Sequence, residues 1–244
     1  MLDSDAAIRQ VRAALEFDNA INLHRHPVKV TIADDAVVLE GEVESVAAKK
    51  LALEHAGAVP GVRGVVDRLR VAAAEHRGDG AIRDVYCALL SGQREFLNCG
   101  IRMRDNDGWR VLRAAPEPPF DRSGDIQVTV QDGVITLDGA VISLSHKRVA
   151  GVLGWWTPGC RDVVNSLEID PPERDGDEEV VEALALVFEM DQELDADQIR
   201  ARCDDYVVTL EGYARTEEQR RRAELDAWAI FGVNKVVNHL AVAA

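Results

Sequence analysis

Four acids alternate along one short stretch, Asp191, Glu193, Asp195 and Asp197, as oxygen ligands do in a calcium loop. Counted from Asp191, such a loop requires glycine at position 196 for its sharp turn and glutamate at 202 as its bidentate ligand. Ala196 and Arg202 stand there, so the pattern predicts a solvated acidic loop and no metal. His24 and His26 could present two imidazoles on one side of a strand. Zinc takes three or four ligands, no third follows nearby, and Pro27 marks a strand entry, so both read as surface histidines. His146 has no acid or thiol partner beside it, Ser143 and Ser145 lack nucleophile-elbow spacing, and no Gly-x-Gly-x-x-Gly run cradles a phosphate. No catalytic residue and no cofactor is expected.

Two other groups carry binding chemistry. Val149, Leu153 and Trp156 fall at i, i+4 and i+7 and form one stripe along a helix. Exposed, it would be an apolar patch for a protein partner or a bilayer surface. The competing reading packs it under a neighbouring segment or repeat, since apolar helix stripes are usually buried in soluble domains. The second group is Trp109 and Arg110, with Arg102, Arg104 and Arg113, a locally basic and aromatic run. Cations beside an indole suit anionic lipid or an acidic partner. The same run, "IRMRDNDGWRVL", reads as a short hairpin turning at Asn106–Gly108, followed by a Pro-rich return.

The whole chain sets limits on these readings. Its 244 residues carry 43 Asp and Glu against 28 Lys and Arg, for a net charge of −15. That balance argues against nucleic acid, whose phosphates it repels. No apolar run reaches the roughly 18–20 residues of a membrane-spanning helix, and the acidic, amphipathic start lacks the features of a signal peptide. A cytoplasmic location is expected, or a periplasmic one if the chain is a processed form. Cys87, Cys99, Cys160 and Cys203 are scattered, which predicts buried thiols rather than a disulfide framework.

The elements that position these residues come from an internal repeat. "ADDAVVLEGEV" at 33–43 returns as "QDGVITLDGAV" at 131–141 and "CDDYVVTLEGY" at 203–213. With Gly41, Gly139 and Gly212 as anchors, Asp34, Asp132 and Asp205 precede at one offset, and Ser45, Ser143 and Thr216 follow at another. Gly61, Gly159 and Gly232 hold a third. The aspartates predict hairpin turns, the anchor glycines a close backbone approach, and the hydroxyls helix N-caps. Ala52, Ala56 and Val59, then Ala150, Gly154 and Thr157, then Ala223, Ala227 and Ile230 form small faces that let a helix lie against a sheet. Gly61, Gly159 and Gly232 are expected at the position that ends that helix, and "GVVDRLRV", "DVVNSLEI" and "KVVNHLAV" read as final strands. Amphipathic helices are predicted upstream over 6–17, 81–90 and 179–188.

The expected fold class is α+β: three tandem αββαβ repeats, each a three-stranded mixed sheet with two helices on one face. They span 3–72, 79–170 and 178–244, with an insertion near 100–124 in the second. The pattern of acidic turn, "VTLxG", Ser/Thr cap and "xPGVxxVxNxLxV" resembles the BON domain, named after bacterial osmotically inducible protein Y and nodulation proteins. "VVLEGEVES" with "VPGVRGVVDRLRV" carries it best, and "VITLDGAVIS" and "VVTLEGYART" carry it with local departures. The resemblance implies the αββαβ fold, no catalysis, and binding or stabilising roles in stress and envelope biology, with phospholipid attachment proposed for the family. Together these readings predict a non-enzymatic binding or scaffold protein, its partner an unidentified protein or, alternatively, a phospholipid surface.

Overall fold

The computed structural model describes residues 4–34, 36–115 and 123–242. Asp35 of the first turn and the Pro-rich return of the insertion lie outside them. The chain forms two compact bodies, 1–72 and 73–244. The first holds one repeat: α1 (Ser4–Phe17), β1 (Val28–Ala33), β2 (Ala36–Val43), α2 (Val46–Gly57) and β3 (Val65–Val71). The second opens with α3 (Asp79–Gly92), β4 (Cys99–Asp105), β5 (Gly108–Arg113), β6 (Gly124–Gln131), β7 (Val134–Val141), α4 (Leu144–Trp155), β8 (Asp162–Asn165) and β9 (Glu168–Ile169). It ends with α5 (Asp177–Met190), β10 (Ile199–Asp204), β11 (Val207–Ala214), α6 (Glu217–Ala229) and β12 (Lys235–Val242).

In each repeat the central strand is antiparallel to the strand before it and parallel to the strand after the second helix. The hairpin turns need left-handed backbone, and Asp34, Asp132 and Asp205 supply it with φ of 49°, 53° and 49°. Two turns are also fastened from outside: Asp79 accepts from the N–H groups of Asp132 and Gly133, and Asp177 from those of Asp205 and Tyr206. The anchor glycines are required by space. A Cβ on Gly139 or Gly212 would stand 2.0 Å from a backbone carbonyl oxygen, of Asp125 in β6 or of Gln198 just before β10, so no side chain fits.

Ser45, Ser143 and Thr216 cap α2, α4 and α6, each accepting from the N–H three residues on. The small faces behind these caps are all buried. One position in the last strand ties it to the helix: the side-chain oxygens of Asp67, Asn165 and Asn238 each accept from the N–H two residues ahead. Asn165 and Asn238 also donate to helix carbonyls, of Lys147 and Arg220. Asp67 cannot donate, and takes the Lys49 ammonium at 2.9 Å instead.

Two features depart from the expected plan. Helices α2, α4 and α6 end at Gly57, Trp155 and Ala229, so Gly61, Gly159 and Gly232 lie three or four residues beyond the helix, in the turn before the final strand. Their φ values of 90°, 88° and 93° reverse the chain there. The middle sheet also exceeds three strands. Its order is β5-β4-β6-β7-β8, with β9 on β7, because β4 pairs in parallel with β6 along the edge that β1 and β10 leave open in the other repeats. The insertion is therefore a hairpin, as its sequence predicts, and it widens the sheet.

The first repeat has its own core, including Val11, Leu15, Leu39, Ala52 and Leu69. Repeats two and three share a single one, running from Ile82 and Leu137 through Val149 and Leu153 to Leu184, Leu210 and Leu240. The intervening charged segment is tied down: Glu173 accepts from the N–H of Leu144, and Asp175 from Arg148.

Candidate functional site

Strand β5 is the outer edge of the six-stranded sheet. The register pairs Trp109 with Arg104 and Val111 with Arg102, which puts all four on one side of the hairpin. Met103 alternates to the other side and is buried in the core, while Arg110, its partner across the pair, stays exposed. Trp109 is 48% exposed and Val111 65%. The Arg102 guanidinium lies 5.7 Å from the centre of the Trp109 ring and also meets Asp125 at 2.8 Å. Arg113 is absorbed by structure, donating to the carbonyls of Ser91 and Phe96. Trp109 and Arg110 thus lie on a cationic and apolar edge of an acidic protein, on opposite sides of one strand.

The other three candidates are elsewhere. Val149 and Leu153 are fully buried in the shared core, where α4 packs on α5 and α6. Trp156 is half-buried at the C-cap of α4, and its indole N–H donates to Asp226 Oδ1 at 2.7 Å. Their reading as an exposed face is corrected: the stripe belongs to the junction with the third repeat, and not to the hairpin edge. The sequence held a signal for this. "VAGVLGWW" is apolar around the whole helix rather than along one stripe, the mark of a helix buried on every side.

Arg148, one residue before the stripe, was no candidate, yet it fastens the same junction. Its side chain is wholly buried; Nε donates to the Phe231 carbonyl at 3.1 Å, and Nη2 to Asp175 at 2.6 Å. The acidic stretch after α5 is corrected too. Asp191 is buried, not solvated, and accepts from Arg222 and from the N–H of Glu193. Asp226 faces it from α6, only 3% exposed. Burial, and then the neighbouring Asp191 carboxyl, raise the Asp226 carboxyl far above its ordinary range. In the first repeat the equivalent residue is His55, which pairs with Asp18 at 2.7 Å just past the end of α1, and that bond holds the Asp18 carboxyl below its ordinary range.

Among the described residues no arrangement resembles an active site. Ser143 Oγ lies 2.6 Å from His146 Nδ1, but that oxygen is the cap of α4, and the next backbone donor, Leu144 N, is taken by Glu173. His146 Nε2 meets the Glu95 carbonyl at 2.8 Å, and burial lowers the pKa of its ring. His24 and His26 lie in the turn before β1, and among the described residues no group of three His, Cys, Asp or Glu could hold a metal ion. None of the four cysteines forms a disulfide; Cys87, Cys99 and Cys160 are buried and Cys203 half-buried. No helix among the described residues is long and apolar enough to cross a membrane.

None of the curated proteins matches. Among solved structures, the chain is similar to the C-terminal domain of CdsD, the structural protein of the type III secretion system of Chlamydia trachomatis. That match has 16% identity over the whole of both chains, with a TM-score of 0.25. A second structure of CdsD matches at 16% identity over 98% of this chain and 92% of that one, with the same TM-score. The BON domain model matches three times, at 3–73, 110–171 and 176–244. The second match begins past α3 and β4, where the inserted hairpin interrupts the repeat. With three copies covering most of its length, the chain belongs to the BON domain family, which is not an enzyme family.

Proposed function

We propose that the protein is a non-enzymatic binding or scaffold protein, stress-associated and bacterial, that docks on its partner through the β4–β5 edge of the second repeat. The observation that carries this reading is the exposure of Trp109 and Val111 beside Arg102, Arg104 and Arg110, on a chain whose net charge is −15. A large half-exposed indole costs solubility, and interfaces are enriched in aromatic residues and arginine. Among the described residues no strand pairs with the outer edge of β5, which an extended segment of a partner could take. The stress association rests on family membership, and a reducing cytoplasm suits the four thiols.

The mixture of guanidinium and indole on one edge favours a second reading, an envelope protein that meets phospholipid headgroups. One experiment separates the two. The full chain and its Trp109→Ser/Arg110→Glu variant are compared in co-sedimentation with phosphatidylglycerol vesicles and in capture of partners from stressed cells. Capture of a defined protein that the variant loses supports the scaffold reading, and sedimentation that the variant loses supports the lipid one. Binding of either kind that is equal in both proteins removes the hairpin edge from the proposal. Release of the protein by osmotic shock would overturn the cytoplasmic location.

A further inference from the structure

The corner where α5 ends against α6 holds two carboxyls and one cation. Each oxygen there can be assigned. Asp191 accepts from Arg222 through one oxygen and from the N–H of Glu193 through the other. Asp226 Oδ1 accepts from Trp156 of the second repeat at 2.7 Å. Asp226 Oδ2 is fully buried and has no donor among the described residues. The neighbouring carboxyl is that of Asp191, which brings only acceptors. A buried oxygen without a donor is costly, and so is a second buried negative charge beside a single guanidinium. One particle removes both costs, a hydrogen on Asp226 Oδ2 donated to Asp191.

We propose that this proton is a structural component of the protein, locking α5 to α6 at the point where Trp156 docks, so that the junction between the second and third repeats loosens as the pH rises. The charged groups facing Asp226 are Asp191 from the end of α5 and Arg222 from its own helix; α4 presents the neutral Trp156. Glu193 acts on the corner through Arg222. Arg222 stays partly exposed and engages Asp191, so one guanidinium faces two carboxyls and offsets the charge of only one of them in full. The raised affinity of Asp226 for its proton, from an ordinary 3.8 to about 8, agrees with this geometry.

The sign follows from proton counting. Between the two values the folded corner holds a proton that the unfolded chain has released, so stability falls with rising pH across that window and levels off above it. One proton makes the folding equilibrium constant of the second body fall by about tenfold per pH unit at the steepest. Asp226→Asn replaces the hydroxyl by an amide N–H that cannot be lost.

The test uses the intact chain. Carbon-13 carboxyl resonances of the wild type are followed from pH 3 to 10, and urea unfolding of wild type and Asp226→Asn is measured from pH 5 to 9. The expected results are an Asp226 midpoint several units above that of an exposed aspartate, and a pH-dependent loss of stability in residues 73–244 that the Asn variant lacks. At pH 9 the variant should then be the more stable protein. An Asp226 midpoint near 4 overturns the proposal, and so do parallel pH profiles for the two proteins. The carbon-13 titration needs no variant, so a failure of Asp226→Asn to fold would leave that measurement to decide.

Discussion

His55 in the first repeat and Asp226 in the third stand at one position of the fold, fourteen residues past the anchor glycines Gly41 and Gly212. Each reaches back to an aspartate that directly follows the repeat's first helix, Asp18 or Asp191. One corner is a histidine–carboxylate hydrogen bond, partly open to solvent; the other is two acids, buried. In the second repeat the position is Leu153, apolar and fully buried. The backbone sets where these groups meet, and the burial sets what chemistry holds them. With water at hand, a ring nitrogen and a carboxylate suffice. Under the weight of a neighbouring repeat, a charge has to be removed instead, and protonation removes it.

Exchanging residues between corners breaks this comparison in a graded way. Leu153→Asp places the third repeat's residue in the second, where Gln93 and not an aspartate directly follows α3. A loss of about 4 kcal/mol in the second body is expected from an unpaired acid in a packed core, and urea unfolding would measure it. Arg148→Met comes next. It leaves the Phe231 carbonyl and Asp175 without their donor, and about 2–3 kcal/mol should be lost from residues 73–244, with residues 1–72 unmoved in amide exchange. An equal loss in both bodies would show that they do not unfold separately.

The first repeat's corner should respond far more weakly and in the opposite direction. Asp18 is held below its ordinary 3.8 by His55, so its contribution is present above that value and is lost as the pH falls through the lower one. Asp18→Asn is expected to cost about 0.5 kcal/mol at neutral pH, given the solvent around the pair, and nothing measurable near pH 2. The smallest effect belongs to Trp109→Ser on the hairpin edge, within about 0.5 kcal/mol by thermal unfolding. A large loss there would mean that the indole is needed for the fold and would weaken its assignment as a docking residue.

What could be read in the sequence depended on whether a residue's role lay inside its own repeat. Gly139, Ser143 and Asp132 act on backbone groups a few residues or one strand away, and three copies at matching offsets expose such roles. The hairpin itself was visible in "RDNDG", but the two-residue turn at Asn106–Asp107, and with it the register of Trp109 with Arg104, was not. Asp226 and Arg148 were opaque because their partners belong to other elements. Trp156 meets Asp226 across 70 residues of chain, and the Phe231 carbonyl meets Arg148 across 83. An aspartate in "RRRAELDAW" has every local mark of a solvated position, and it is covered by groups from elsewhere, Asp191 at the end of α5 and Trp156 at the end of α4. The glycines after the helices were placed too early because the chain takes one more turn before reversing.

The hairpin that widens the middle sheet also stretches the chain between α3 and the strands it must meet. The Tyr86 hydroxyl donates to the Ala150 carbonyl across 64 residues, and Asp79 fastens a turn 53 residues away. The first repeat closes its helix-to-hairpin connection with no such detour. Closing a longer loop costs entropy before any contact rewards it, and distant pairings slow the search. During synthesis residues 1–72 can therefore mature early, while α3 waits, its apolar face uncovered, for strands still on the ribosome.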